Sequence, residues 1–129
     1  MLRLILSTVI GFLIGRERKK HKKSAGGGRT MAIVSLGACM IAILTKEIFG
    51  INDVMFNYTR LMAGGIGGIS FIGAGIIWKH KNDIEGLTTA STLFALIPIN
   101  YFIGLGYYYH GILSAVLVFI ILESKYWKK

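Results

Sequence analysis

The sequence predicts an all-α membrane protein, a bundle of five transmembrane helices. Of the 129 residues, 53% are hydrophobic and only 16% are charged, and the mean hydropathy is +0.60. An ordinary soluble protein has ~25% charged residues. The charges here lie in short clusters that separate five apolar stretches. Because ~17–25 apolar residues can cross a bilayer as a helix, each stretch is predicted to be one span.

The predicted spans are taken in chain order as one transmembrane domain. They cover residues 1–17, 29–46, 60–78, 87–103 and 105–123. The first is short and needs long basic side chains to reach the headgroups. A signal peptide is the alternative, but such peptides place positive charge before the apolar run, whereas "GRERKKHKK" follows it here. The connection between spans four and five is expected to be very short, and no soluble domain is expected after span five.

Basic residues are shared unequally between the two sides of the predicted bundle. Twelve of the fifteen lie between spans one and two, between spans three and four, or after span five. The other three are Arg3, Lys46 and Arg60. The positive-inside rule therefore predicts an N-terminus outside and a C-terminus in the cytoplasm. Trp78 and Trp127 are expected at the cytoplasmic interface, where aromatic rings are enriched.

Glycine is concentrated in the third span, where six of the twelve residues from Gly64 to Gly75 are glycine. Membrane helices gain little by burying Leu against Leu, and they associate where small residues let backbones approach. Gly64, Gly68 and Gly75 therefore predict a central packing helix. Gly11 and Gly15 predict a second close contact in span one. Homodimerisation through these glycine-lined faces is also expected.

The glycines of span three have two other interpretations. A Walker loop requires Gly-Lys-Ser/Thr after a strand, which is absent, and Ser70 replaces the last glycine of a dinucleotide-binding pattern. A broken helix, whose unwound backbone binds a solute at mid-membrane, stays open at the adjacent glycine pairs. Pro98 in span four is either a packing kink or a hinge beside a small cavity.

Four motifs in order resemble the N-terminal transmembrane region of the MgtC/SapB family. They are "GRER" at residues 15–18, "AGGGRT" at 25–30, "GGISFIGAG" at 67–75 and "GLTTASTL" at 86–93. Ser70, Asn57 and Phe94 depart from residues common in that family. The resemblance implies a bacterial inner-membrane protein linked to magnesium-limited growth, virulence-related adaptation and regulation of other membrane proteins. Roles of the extra cytoplasmic domain of many members are not implied for this chain.

The carboxylates do not suit a magnesium pathway. Mg²⁺ prefers oxygen ligands in octahedral geometry and loses its waters reluctantly, yet all six carboxylates lie at span ends or in loops. The candidate polar or ion-site residues are therefore span-end charges together with hydroxyl and amide groups within spans. They are Glu17, Arg29, Arg60, Ser70, Asp83, Glu85, Thr88, Thr89 and Asn100.

Several of these candidates have two interpretations. Glu17 and Arg29 form either a buried ion pair between the ends of spans one and two or two separately solvated charges. Asp83 and Glu85 precede span four, where negative charge is favourable to the helix dipole and a threonine of "GLTT" can cap the helix. A cation site there is the alternative. Arg60 binds either headgroups or an anion.

The preferred functional interpretation is binding. The run "RERKKHKK" is expected to meet anionic lipid, at ~1 kcal/mol per basic residue, rather than nucleic acid. No cofactor is expected, and no nucleophile–base pair or metal-ligand spacing indicates an enzyme. We expect a dimer that binds or regulates a membrane partner during Mg²⁺ limitation. The alternative is a transporter or channel for Mg²⁺ or another solute, with a path near Ser70, Thr88 to Thr92 and Asn100.

Overall fold

The computed structural model describes residues 1–20, 27–49 and 55–124. Its helices are α1 (Leu2–Lys19), α2 (Gly28–Phe49), α3 (Met55–Ile76), α4 (Leu87–Leu105) and α5 (Tyr108–Glu123), and the strands β1 (Trp78–His80) and β2 (Asp83–Glu85) lie between α3 and α4. The predictions for Lys22, Lys23, Lys125 and residues 126–129 lie outside the described residues.

The helices confirm the predicted all-α class. Three helical segments are long and apolar enough to cross a bilayer, namely Gly28–Glu47, Thr59–Ile76 and Leu87–Leu105. The α5 helix is apolar but has only 16 residues, and α1 ends in four charged residues, Arg16–Lys19. Together with the hydropathy of the whole chain, these helices identify a membrane protein.

A short hairpin joins α3 to α4, where sequence reasoning expected only a loop. Its strands are antiparallel and pair Trp78 with Glu85 and His80 with Asp83. Gly86 follows with φ of +85°, and a Cβ at this position would overlap the carbonyl oxygen of Ile76. Only glycine combines this backbone conformation with so close an approach. The hairpin and the start of α4 are thus held against the end of α3.

A glycine turn joins α4 to α5. Gly106 ends α4 with φ of +97°, its N–H donates to the carbonyl of Ile103 at 3.1 Å, and the Tyr107 N–H donates to the carbonyl of Phe102 at 2.8 Å. This is the hydrogen-bonding pattern of a Schellman C-cap. It lets α5 begin at Tyr108, which confirms the very short connection that was predicted.

The centre of the bundle is formed by α2 and α4, not by α3. The α1 helix packs along α2, α2 packs along α4, and α3 and α5 lie against α4. Of the residues in the most apolar part of α4, 56% are buried, whereas in α3 only 11% are buried. The predicted central role of span three is therefore wrong for the single chain. The core is instead built from large apolar residues of α4, such as Leu93, Leu96 and Ile103.

Both helices with unusual residues are continuous. The α3 helix runs from Met55 to Ile76 through its adjacent glycine pairs, so the broken-helix interpretation is wrong. The α4 helix runs from Leu87 to Leu105 through Pro98. Proline removes one backbone donor from a helix, and the neighbouring turns maintain α4 on both sides of it.

Candidate functional site

Pieces of the four sequence motifs meet at one end of the bundle, which we call the motif end. Here the last turn of α1 crosses the start of α2, and a Cβ on Gly15 would lie only 2.6 Å from Gly28 Cα. A Cβ on Gly73 of α3 would lie 3.6 Å from the Cβ of Ala90 on α4. The glycines of these motifs thus bring four helix ends close together.

A charged cluster lies at the motif end, and we call Glu17, Arg18, Lys20 and Thr89 the Glu17 cluster. Glu17 is only 2% exposed, and its Oε2 lies 3.1 Å from Lys20 Nζ. Arg18 Nη2 donates to Thr89 Oγ1 at 3.3 Å. The cluster therefore connects the end of α1 with the first turns of α4, joining residues of "GRER" and "GLTTASTL".

The electrostatics of this cluster follow from burial. A buried carboxylate is costly unless it is paired, and Glu17 has the cations of Lys20 and Arg18 beside it. Burial lowers the pKa of the Arg18 guanidinium below its ordinary value, and the Glu17 carboxylate acts in the opposite direction. The guanidinium still carries its proton at neutral pH. The cluster can therefore fasten helix ends and present positive charge.

Other predicted residues at span ends are not gathered into this cluster. Arg29 and Arg60 are exposed, and Glu17 forms an ion pair with Lys20, three residues further along the chain, rather than with Arg29. Asp83 is exposed and Glu85 is half-buried in β2. The N-cap of α4 is Gly86, so glycine occupies the capping position itself and a threonine of "GLTT" does not.

The hydroxyls within the helices mostly bond to their own helix. Ser70 Oγ donates to the Ile66 carbonyl at 2.9 Å, and Thr92 Oγ1 donates to the Thr88 carbonyl at 2.7 Å. Ser70 and Thr88 are both exposed, whereas Asn100 is wholly buried. The structure does not bring these three residues of the hypothetical solute path to one place.

Asn100 belongs instead to a buried polar junction of α1, α2 and α4. Ser7 Oγ lies 2.6 Å from Asn100 Oδ1 and 2.7 Å from the Ser35 carbonyl oxygen, both of which accept its single proton. Asn100 Nδ2 donates to the Leu96 carbonyl at 2.7 Å. Ser35 Oγ is buried and has no hydrogen-bond partner within the described part of the chain. This junction is the main polar contact at the centre of the bundle.

The opposite end of the bundle has a basic contact that sequence reasoning missed. Arg3 donates from Nε to the Tyr108 hydroxyl at 3.2 Å and from Nη1 to the Gly104 carbonyl at 3.0 Å. Lys46 Nζ donates to the Leu105 carbonyl at 3.2 Å. Cations are favourable at the free carbonyls of a helix C-terminus. The sequence contained a signal for this contact, because Arg3 and Lys46 are two of the three basic residues predicted on that side of the bundle.

The glycines predicted to pack fall into two groups. A Cβ on Gly11 would overlap Ser35 Oγ and lie 2.5 Å from the Met31 carbonyl oxygen, so close packing of α1 is confirmed for Gly11, as for Gly15. Gly64, Gly68 and Gly75 have nothing within 4 Å of the position a Cβ would take. Their predicted packing is not made by residues 1–20, 27–49 and 55–124.

Other glycines make the close helix contacts that the sequence predicts for Gly64, Gly68 and Gly75. Gly65 lies beside the Tyr101 hydroxyl, which donates to the Met62 carbonyl at 2.9 Å. Gly104 packs against Cys39 and Ala42 of α2, and Gly111 of α5 packs against Ile103 of α4. The sequence marks these positions only as glycine in an apolar run. Which helix face they occupy depends on the partner helix.

Within residues 1–20, 27–49 and 55–124, no group of three or more His, Cys, Asp or Glu side chains is placed to hold a metal ion. Any ligand of the Glu17 cluster would therefore meet mainly basic and hydroxyl groups.

Comparison with known proteins identifies the relatives of this chain. A protein-family sequence model described as "MgtC family" matches residues 4–128. "Putative magnesium transporter YhiD" of Escherichia coli K12 is 33% identical over 95% of this chain and 59% of its own length. Protein SapB of Bacillus subtilis is 31% identical over 98% and 56%, and protein MgtC of Brucella abortus (strain 2308) is 33% identical over 85% and 44%. The chain thus spans about half the length of these relatives. No solved structure matches it.

Proposed function

The chain belongs to the MgtC family. We propose that it is a multi-pass protein of the bacterial inner membrane and that it works by binding another membrane helix. Its five helices cross the bilayer with the motif end toward the cytoplasm, as the distribution of basic residues favours. The name of one relative, "Putative magnesium transporter YhiD", connects the proposal to magnesium. The binding role operates when Mg²⁺ is scarce.

The exposed face of α3 is the observation that carries this proposal. Arg60, Gly64, Gly68, Phe71 and Gly75 recur at helical spacing and therefore share one face. All are exposed, and only 11% of the residues in the most apolar part of α3 are buried. In lipid, close backbone approach between helices is a main source of association. We call this surface the α3 glycine face.

A second copy of the chain has the right shape to cover this surface. Phe71 projects from the α3 glycine face with 83% of its surface exposed, and glycines lie one turn before and one turn after it on the same face. A two-fold interface is self-complementary, so the Phe71 ring of each copy can lie in the glycine-lined depression of the other. A regulated partner protein would dock by the same contact when it replaces the second copy.

Crosslinking tests the proposed dimer. Cys39 is buried, and a Cys39→Ala background leaves a single introduced thiol as the reporter. Ala74→Cys lies at the rim of the α3 glycine face, and Ser91→Cys is the matched control, since both residues are small, exposed and near the motif end. We expect oxidation of membranes to yield disulfide-linked dimer from Ala74→Cys and little from Ser91→Cys.

Two further variants show whether the crosslink reports the proposed contact. Phe71→Ala and Gly68→Leu should each reduce the Ala74→Cys dimer severalfold, while Phe94→Ala, on an exposed aromatic residue of α4, should not. Equal crosslinking at positions 74 and 91, or a dimer unaffected by Phe71→Ala, would contradict the proposal.

Transport is the second candidate, and the printed name of YhiD favours it. Proteoliposomes loaded with a Mg²⁺-sensitive dye distinguish the two. Under the binding proposal, the purified protein adds no Mg²⁺ influx over empty liposomes. Influx that requires the protein would establish transport in place of binding.

A further inference from the structure

An apolar groove runs between α1 and α5, two helices that pack on different partners. The α1 helix packs along α2 and α5 packs along α4, so α1 and α5 barely touch each other. The groove between them has a volume of about 560 Å³. Leu6, Val9 and Leu13 line it from α1, and Ile112, Val116 and Phe119 line it from α5.

The length of the groove corresponds to one leaflet of a bilayer. From Leu6 to Ile14 the α1 wall is uniformly apolar along the groove, a distance of ~12 Å at the rise of an α-helix. The hydrocarbon of one leaflet is about half of the ~30 Å bilayer core. An acyl chain lying parallel to α1 would therefore have apolar contacts through most of a leaflet.

Charge is confined to the end of the groove at the motif end. Arg16, Glu17 and Lys20 line it there, which leaves one net positive charge. Glu17 is buried beside Lys20. The Arg16 guanidinium is exposed and makes no hydrogen bond or ion pair with any residue that the structure describes. A guanidinium matches the geometry of a phosphate group through paired N–H donors.

We propose that the groove is a binding site for one anionic glycerophospholipid. An acyl chain lies between α1 and α5, and the phosphate lies at Arg16 with Lys20 beside it. The net positive charge favours a lipid whose headgroup is negative overall over a zwitterionic one. This site does not depend on the α3 glycine face, because the two surfaces belong to different helices.

Lipid retention in detergent tests the proposal. The purified protein is mixed with phosphatidylglycerol or phosphatidylcholine, and bound lipids are counted by native mass spectrometry. We expect one phosphatidylglycerol to be retained in preference to phosphatidylcholine. Arg16→Gln should lower that preference about fivefold, which corresponds to ~1 kcal/mol for one basic residue at a membrane surface.

Lys19→Gln is the matched control for charge. Lys19 is exposed, belongs to the same basic segment and does not line the groove. It should therefore leave the preference for phosphatidylglycerol unchanged. If Lys19→Gln lowers the preference as much as Arg16→Gln does, the attraction is a general property of the basic surface and the proposed site is wrong.

Filling the groove tests the acyl-chain contact. Val116→Trp should reduce retention of both lipids severalfold, whereas Leu117→Trp, which is similarly exposed on α5 but outside the groove, should not. Helix content measured by circular dichroism confirms that each variant is folded. Unchanged retention in a folded Val116→Trp protein would overturn the proposal. A dimer lost in Val116→Trp, with lipid retention unchanged, would show that a second copy occupies the groove.

Discussion

Ser7 illustrates how one small polar side chain can hold three helices together. Its hydroxyl lies on α1 and is within hydrogen-bond distance of the Ser35 carbonyl of α2 and the Asn100 amide of α4. Inside a membrane, hydrogen bonds between helices contribute ~0.6–2 kcal/mol each. Ser35 is equally buried, but it contributes its backbone carbonyl to this junction, not its hydroxyl.

Alanine substitutions at these two serines should therefore have different effects. Ser7→Ala removes the donor to both acceptors, and we expect it to reduce the free energy of unfolding by about 1–2 kcal/mol. Ser35→Ala removes a buried hydroxyl that has no partner in the described structure, so its effect should be near zero or slightly stabilising. Thermal unfolding in detergent measures both. A larger loss for Ser35→Ala than for Ser7→Ala would contradict the junction as described.

The glycines of a membrane helix act through whatever faces them. Gly11 on α1 lies directly against the Met31 carbonyl and Ser35 on α2, so α1 and α2 approach closely at this point. Gly64 on α3 has the same local sequence context, glycine four residues before glycine, but no atom of another described helix lies within 4 Å of the position its Cβ would take. The first position stabilises the folded chain, and the second is available for association.

Substitution by alanine separates these two roles. Gly11→Ala should cost about 1–3 kcal/mol of stability, since the added methyl overlaps a backbone carbonyl in a packed interface. Gly64→Ala should leave the stability of the single chain unchanged or raise it slightly, because alanine favours helix by ~1 kcal/mol over glycine. Unfolding midpoints in detergent under monomeric conditions provide the measurement. Equal losses for the two variants would show that α3 is packed differently in the chain.

The bundle has a packed centre formed by α1, α2 and α4, with α3 and α5 lying against α4. The core is built mainly from α1, α2 and α4, to which α3 adds Ile69 and α5 adds Ala115 and Leu122. Polar contacts fasten both ends of the bundle, Arg3 at one and the Glu17 cluster at the other. The α3 helix contacts this core along one side only, and the Tyr101 hydroxyl is bonded to its Met62 carbonyl. The exposed glycine face of α3 is the surface at which we propose that another helix binds.

Removing the Tyr101 hydroxyl should loosen α3 without affecting the rest. Tyr101→Phe keeps the ring but loses a hydrogen bond of about 1 kcal/mol, so amide hydrogen exchange in α3 should become about fivefold faster. Exchange in α2 and in the first half of α4 should not change. Tyr109→Phe is the control, since Tyr109 is 75% exposed. Faster exchange throughout the bundle would mean that α3 is integral to the core.

The all-α class, the family and the approximate position of each helix could be predicted from sequence alone. Apolar runs and charge clusters determine which segments enter lipid, and this depends on composition along the chain more than on contacts. The packing of Gly11 and Gly15 was also predictable, because two glycines four residues apart lie on one face of an apolar helix and let another backbone approach.

Which surface each small or polar residue faces was decided only by the tertiary structure. Span three has the richest glycine content, yet α4 is central because its large apolar side chains fill the space between α2, α3 and α5. Glu17 lies beside Lys20 rather than Arg29, and Arg3 reaches one carbonyl and one tyrosine hydroxyl more than one hundred residues away in the chain. Sequence reports what a residue can do, whereas its partners depend on how helices rotate about their axes to exclude voids and satisfy buried polar groups.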